Sequence, residues 1–343
     1  MGFLEATIQL AHGGGGRLSQ QLIQELLLPA FGPADGVLHD AALLASPGKQ
    51  LAFTTDSYVV RPLFFPGGDI GRLAVIGSVN DLAMTGAKAA VMSLGLIVEE
   101  GLPFSTLERV VASIRAAADQ CCVKVVTGDT KVVERGKGDG LFINTSAIGV
   151  VEHGQSIHPS AVQPGDAVLV SGDLGRHGVA ILMAREELGF RCSLESDLAP
   201  LHGAVQHLLG EGVALHCLRD LTRGGLASAI DEIARGAQCT VKLEENAIPF
   251  SEPVRSTCDL LGLDPLAMAN EGRMLVICPE TDAGRALVVL REHDHNACIV
   301  GSVGVPLSQA TDQEQRHPVT LRNSLGVVQP LDLQRGDQLP RIC

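Results

Sequence analysis

Hydrophobic and polar positions divide this chain into two series of helix-period and strand-like stretches, separated by turns marked with proline and glycine. Leu18, Leu22, Ile23, Leu26 and Leu27 recur at helical spacing near the start. Ile70, Leu73, Ile76, Val79 and Ala83 repeat that spacing behind Asp69, predicting a helix that this aspartate caps and that runs to about Gly86. Ser105-Thr106-Leu107-Glu108 matches a capping box and predicts a helix ending near Cys121. Residues 51–60 and 89–98 read as strands, the second buried, and 123–126 predicts a strand that closes on Thr127-Gly128-Asp129-Thr130-Lys131.

A polar stretch over 150–166, ending in a Pro164-Gly165 turn, marks a boundary. Beyond it the pattern resumes with a strand over 167–171, then a glycine-rich turn (172–178) and a helix. Leu218-Arg219-Asp220-Leu221-Thr222-Arg223-Gly224-Gly225 opens another helix, with Leu226, Ile230 and Ile233 on its apolar face and Asp220 as a candidate cap. A strand over 274–278, a helix over 283–291 and a strand over 297–303 complete the second series. The organisation expected is a glycine-rich segment and helix (1–37), an N-terminal domain (38–152), a C-terminal domain (162–305) and a tail (306–343).

Composition supports that division. At 343 residues the chain exceeds the size at which single cores stop growing, and 45% hydrophobic residues supply two cores. With no Trp, one Tyr and 39 Gly, it reads as a small-residue α/β (α+β) protein rather than an aromatic-cored sandwich. A net charge of -13 argues against nucleic acid or an anionic membrane as partner. Any anionic substrate must then be held by local glycines, helix ends, basic side chains or a metal. Nine scattered cysteines without a Cys-x-x-Cys pair indicate neither a disulfide framework nor a zinc ribbon. No basic start precedes an apolar core in the first thirty residues, and no uncharged apolar run approaches the roughly 18 residues of a membrane span. A soluble, cytoplasmic protein is expected.

Candidate chemistry clusters in a few motifs. His12-Gly13-Gly14-Gly15-Gly16 precedes the first helical pattern, an arrangement whose backbone N–H groups and helix end suit a phosphate. Asp40, Asp56, Asp81 and Asp129 fall in or beside apolar segments, with Asn80 next to Asp81 and with Gly128, Thr130 and Lys131 around Asp129. An Asn80-Asp81 pair in apolar surroundings costs stability unless it is hydrogen-bonded or coordinates something, and Asn80, Gly128, Asp129 and Thr130 are candidates to bind ATP. Hard carboxylate oxygens of this kind suit Mg²⁺ bound to a polyphosphate, since that ion takes only one or two carboxylates and keeps other oxygens. Arg223 beside Gly224-Gly225 at a helix start again suits an anion. Cys343, the last residue, follows a polar run broken by Pro330 and Gly336; a thiol so placed can accept a group in one place and present it in another. Glu271, in Ala269-Asn270-Glu271-Gly272, reads by itself as a turn residue.

The motifs His-Gly-Gly-Gly-Gly, Thr-Thr-Asp-Ser-Tyr-Val-Val, Pro-Leu-Phe-Phe-Pro-Gly-Gly-Asp-Ile-Gly, Asn-Asp-Leu-Ala, Glu-Glu-Gly-Leu-Pro, Thr-Gly-Asp-Thr-Lys-Val-Val-Glu and the closing Pro-Arg-Ile-Cys together resemble the HypE family. These are hydrogenase maturation proteins of the PurM-like, aminoimidazole ribonucleotide synthetase superfamily. The resemblance covers essentially the whole chain; His39 departs from it, standing where the superfamily commonly has a second acidic residue. It implies a two-domain fold whose N-terminal domains pair in a homodimer, their sheets forming a shared barrel, followed by a C-terminal α/β domain and a flexible tail. It also implies ATP and Mg²⁺ in clefts at that interface, with Lys131 and Glu271 near the entering tail. Cys343 would receive a carbamoyl group from a HypF-like carbamoyltransferase, and ATP would drive its dehydration to an S-cyanate. That product supplies the cyanide ligands of [NiFe]-hydrogenase through a HypC–HypD-like iron scaffold. On this view Glu271 takes the amide proton and Lys131 neutralises charge on the oxygen and phosphoryl group. Two other readings are a small-metabolite synthetase or kinase of the same fold and a non-catalytic nucleotide-binding scaffold; Cys343 would be dispensable for turnover in the first, and tail-dependent ATP hydrolysis would exclude the second.

Overall fold

The computed structural model describes residues 7–13, 17–31, 48–185, 194–331 and 342–343. Gly14, Gly15, His39 and Asp40 lie outside them. A 3-10 turn (Leu10–Gly13) is followed by a helical run made of α1 (Arg17–Leu22), a π-helical turn (Ile23–Leu27) and α2 (Leu28–Phe31).

The N-terminal domain contains β1 (Leu51–Tyr58), the two-residue strands β2 (Phe64–Phe65) and β3 (Gly68–Asp69), α3 (Ile70–Ala83), β4 (Lys88–Glu99), α4 (Phe104–Gln120), β5 (Lys124–Val133) and β6 (Leu141–Val150). Its four-stranded sheet has the order β1-β6-β4-β5, with β4 and β5 parallel and the other pairs antiparallel. Asp69 caps α3 as expected, accepting from the Gly71 and Arg72 N–H groups at 2.8 and 3.1 Å, while Ser113 Oγ donates to its other oxygen at 2.6 Å. Leu73, Ile76 and Val79 then meet Leu94, Leu96 and Ile143 of the sheet and Leu107, Val110 and Ile114 of α4 in one core. The capping box expected at Ser105 does not form. α4 begins two residues earlier than that box requires, at Phe104 behind Pro103, and Ser105 lies in its first turn with no side-chain cap at the helix start.

Among the described residues only one face of this sheet is covered. β1 alternates outward Leu51 and Phe53 with inward positions, and Phe53 is 68% exposed. Ile97 on β4 is also exposed on that open face. The strand expected at 123–126 is longer: Thr127 to Lys131 continue within β5 instead of following it. An edge strand can carry polar residues on a solvent face without ending.

The C-terminal domain contains β7 (Asp166–Val170), α5 (Arg176–Ala184), α6 (His202–Gly210), β8 (Cys217–Asp220), α7 (Gly225–Ala237), β9 (Cys239–Glu244), α8 (Glu252–Leu261), β10 (Met274–Pro279), α9 (Glu280–His293), β11 (Cys298–Pro306), α10 (Asp312–Arg316), β12 (Val319–Arg322) and β13 (Val328–Pro330). The seven strands order as β13-β12-β9-β11-β7-β10-β8. Alternation sends Val168 and Val170 of β7 toward Ile230 and Ile233 of α7, and Ala167 and Leu169 toward Val205 of α6 and Val289 of α9. Asp220 ends a strand rather than capping a helix, because α7 starts only at Gly225.

Residues 306–331, read from the sequence as the start of the tail, belong to the domain. β12 pairs in parallel with β9, β13 pairs with β12, and Leu331 is buried in the adjoining core. Ile342 returns to the other domain, where it is 5% exposed among the residues of the N-terminal core. Burying an isoleucine side chain contributes about 2 kcal/mol toward holding the end of the chain there.

Candidate active site

A pocket opens where the two domains meet. Asp56, Asp81, Asp220 and Glu271 supply carboxylates to its lining, Arg223 a guanidinium, Tyr58 and Thr222 hydroxyls, and Cys343 its thiol-bearing residue. Asp56 projects from β1, on the same face as Tyr58, and Asp81 from the last turn of α3, where Thr54 Oγ1 donates to it at 2.7 Å. Asp220 reaches the pocket from the end of β8, paired with Met274 of β10. Arg223 lies in the turn before α7. That turn closes on Gly225, whose φ is +55°, and a Cβ there would sit 2.6 and 2.5 Å from the carbonyl oxygens of Leu266 and Met268.

Glu271 is 3% exposed and is held by its main chain. Its N–H and that of Gly272 donate to Asp197 Oδ2 at 3.2 and 3.0 Å, and its carbonyl accepts from Asn80 Nδ2 at 3.2 Å. A side chain at Gly272 would strike the Asp197 carbonyl, so the loop needs glycine at this point. Glu271 Oε1 is buried with no hydrogen-bond partner among the described residues. Burial pushes the Glu271 carboxyl well above the usual carboxylate range, and Asp197, Asp220, Asp56 and Asp81 add to the effect. Burial likewise pushes Asp220 up to about 7, with Asp81 next in weight. Burial raises the Asp81 carboxyl as well, and the hydrogen bond from Thr54 opposes the rise.

Among the described residues no group of three or more His, Cys, Asp or Glu side chains is arranged to hold a metal alone. The chemistry of the donors fits Mg²⁺ that completes its shell with phosphate oxygens and water, and Asp56, Asp81 and Asp220 are the lining carboxylates that could contribute to it.

The structure brings together Asp56, Asp81, Arg223, Glu271 and Cys343. It leaves the Gly-Asp-Thr-Lys motif elsewhere. Gly128, Asp129, Thr130 and Lys131 lie on β5, at the far edge of the sheet from β1. Asp129 and Lys131 pair in register with Gly95 and Ile97, on the open face; they are exposed and form an ion pair at 3.2 Å. Gly13 ends the 3-10 turn that packs beside the same strand. Within one chain Lys131 is therefore not next to Glu271.

Asn80, a candidate for the nucleotide, has its side chain taken up by main-chain groups. It is 2% exposed; both amide hydrogens go to the carbonyls of Ala199 and Glu271, at 3.1 and 3.2 Å, and its oxygen accepts from Leu201 N–H at 2.8 Å. Its side chain positions the Glu271 loop. Sequence reasoning missed Tyr58, Asp197 and Asp220 as site residues. A charged residue closing an apolar strand was the available signal for Asp220.

Comparison with known proteins shows the family. Residues 38–151 match the model of the AIR synthase related protein N-terminal domain, and 163–306 that of its C-terminal domain. The chain is 45% identical to the carbamoyl dehydratase HypE of Azotobacter vinelandii, over 98% of this chain and 97% of that protein. A solved structure of the hydrogenase maturation protein HypE in complex with ATP is 45% identical and superposes with a TM-score of 0.91, covering 98% of this chain and 100% of that one. A HypE chain from a HypE–HypF complex is 41% identical, with a TM-score of 0.78 over 91% of this chain and 99% of that one.

Proposed function

This chain belongs to the HypE family of carbamoyl dehydratases, and from that premise we propose that it converts an S-carbamoyl group on Cys343 into an S-cyanate at the expense of ATP. The observation carrying this reading is that Cys343 lines the same pocket as Glu271 and the carboxylate set. In the proposed reaction the carbamoyl oxygen takes the γ-phosphoryl group of ATP, releasing ADP. The carbon–nitrogen bond becomes triple as the carbon–oxygen bond breaks. One nitrogen proton passes to Glu271, the second is lost to the surroundings, and phosphate departs with the former carbamoyl oxygen. The net change is removal of the elements of water. Mg²⁺, held by Asp56, Asp81 and Asp220, would supply charge neutralisation on the phosphates.

Glu271 suits proton abstraction because its unpartnered oxygen is buried and its basicity is raised by its surroundings. Arg223 contributes positive charge to the lining. Lys131 and the Gly-Asp-Thr-Lys motif serve the reaction from a second copy of the chain. A homodimer explains the uncovered sheet face with Phe53 and Ile97, and it brings a β5 edge to a site that lacks one. The carbamoyl group comes from a HypF-like carbamoyltransferase, a partner supported by the HypE–HypF complex of a relative. The cyanide passes to a HypC–HypD-like iron scaffold and so to [NiFe]-hydrogenase, and the work takes place in the cytoplasm. No helix among the described residues is long and apolar enough to cross a membrane.

Phosphate release from ATP with the carbamoyl donor present tests the reading. It should occur with the wild-type protein and stop in Cys343→Ala, whose ATP affinity stays unchanged. Equal rates in both would return the chain to the small-metabolite synthetase or kinase reading.

A further inference from the structure

The end of the chain is held in place by more than the pocket that receives its sulfur. Val59 N–H donates to the Cys343 carbonyl at 3.2 Å, and His177 Nε2 lies 2.8 Å from the Ile342 carbonyl oxygen. We propose that His177, which the sequence marks only as part of a glycine-rich turn, is the positioning residue that seats Cys343 against Glu271. This inference rests on Cys343 being the carrier of the reacting group.

Hydrogen-bond logic fixes the tautomer. A carbonyl oxygen only accepts, so Nε2 carries the proton and donates to Ile342. Nδ1 is then the acceptor, and Ser196 Oγ, 2.8 Å away, donates to it. Ser196 is oriented for this, because its oxygen already accepts from Leu198 N–H at 3.1 Å. The ring is fully buried, packs edge-on against Phe65 with centroids 5.4 Å apart, and is kept neutral by that burial.

The main chain of His177 is fixed by the carboxylate that also fixes the proposed base. Asp197 Oδ1 accepts from His177 N–H at 3.0 Å, while Oδ2 accepts from the Glu271 and Gly272 N–H groups. One buried side chain thus sets the distance between the point that grips the tail and the loop that bears Glu271. The grip of His177 is one hydrogen bond to a main-chain carbonyl, and the other contacts of the tail end, the Val59 hydrogen bond and the buried Ile342, are also non-covalent, so the tail can leave without covalent change. That suits a carrier which must be loaded and unloaded elsewhere.

The test uses the full-length protein and reads docking and chemistry separately. Docking is measured as the peptide-resolved alkylation rate of Cys343 by iodoacetamide in the unmodified protein, which needs neither donor nor ATP. Chemistry is the single-turnover loss of water from carbamoylated Cys343 with Mg-ATP. His177→Leu should speed Cys343 alkylation and slow dehydration, each by about five- to tenfold, the weight of one buried hydrogen bond. His177→Gln, which retains an N–H donor, should recover most of both. ATP affinity should not change, and Cys217 and Cys278, whose thiols burial pushes up to about 12, should remain unlabelled in every variant.

Wild-type rates of alkylation and dehydration in His177→Leu would overturn the proposal. So would simultaneous labelling of Cys217 and Cys278, which signals general loosening. If His177→Leu does not fold, Ser196→Ala gives the same readouts with the tautomer no longer enforced, and wild-type values there overturn it equally. A wild-type protein that never loses water, yet whose His177 variants still alter Cys343 alkylation, would instead refute the dehydratase reading and leave the docking role standing.

Discussion

Replacing Asn80 separates two roles that the sequence alone merges. In Asn80→Ala, three hydrogen bonds of 3.1, 3.2 and 2.8 Å disappear from a side chain that is 2% exposed. The carbonyls of Ala199 and Glu271 and the N–H of Leu201 lose these partners at the junction between α3 and the C-terminal domain. Each buried unsatisfied group costs about 1–3 kcal/mol, and a water entering the small void recovers part of that, leaving a loss of about 3–5 kcal/mol. The corresponding fall in thermal midpoint is on the order of 10 °C. Asn80→Asp should do no better, since it removes both N–H donors and turns an oxygen toward two carbonyls. Differential scanning fluorimetry measures the midpoint, and titration calorimetry on the folded variant measures ATP affinity, expected to stay near wild type. A midpoint within about 2 °C of wild type, together with a tenfold or greater loss of ATP affinity, would refute the reasoning and return Asn80 to the nucleotide.

Two further predictions address the subunit arrangement and the acidic pocket. Lys131→Ala and Glu271→Gln should each lower dehydration by about 10²–10⁴-fold, the usual weight of an acid–base or charge-stabilising group; an equimolar mixture reassembled into random dimers should recover about a quarter of wild-type activity, because half the dimers hold one site with both residues intact. No recovery would show that Lys131 acts within its own chain. In metal-free protein, Asp220 has a folded-state pKa of about 7 against an unfolded value near 3.9, so its contribution to stability is fully present below about pH 4 and is lost as pH rises through about 7. Unfolding midpoints in EDTA should fall from pH 5 to pH 8 more steeply in wild type than in Asp220→Asn, and parallel profiles would contradict this.

Legibility in the sequence followed the range of the interaction. Asp69 as the cap of α3, the strand at 167–171 and the glycine-led helix at Gly225 are local signals and were readable to within a residue or two. β12 and β13 were not. Each is a short strand in a polar context, and β12 owes its existence to pairing with β9, far away along the chain. Asp56, Asp81, Arg223, Glu271 and Cys343 were singled out as candidates and do converge. Glu271, an ordinary turn residue by local pattern, gains its character from burial among four other carboxylates contributed by both domains. Lys131 could be recognised as a motif residue, but the face of β5 that carries it is set by register with β4. Asn80 was legible as a residue that must be hydrogen-bonded or coordinate something, whereas its partners and the role of His177 were not: both side chains bind main-chain atoms, and no side-chain pattern records which carbonyl a buried amide or imidazole will meet.

The central claim, that Cys343 carries the group which ATP dehydrates, is tested most directly by intact mass spectrometry of the C-terminal peptide. After incubation with a HypF-like donor and carbamoyl phosphate, Cys343 should gain about 43 Da, and on addition of Mg-ATP the adduct should lose about 18 Da. A Cys343 that stays unmodified beside a demonstrably active donor, or an adduct whose mass ATP leaves unchanged, would contradict the account.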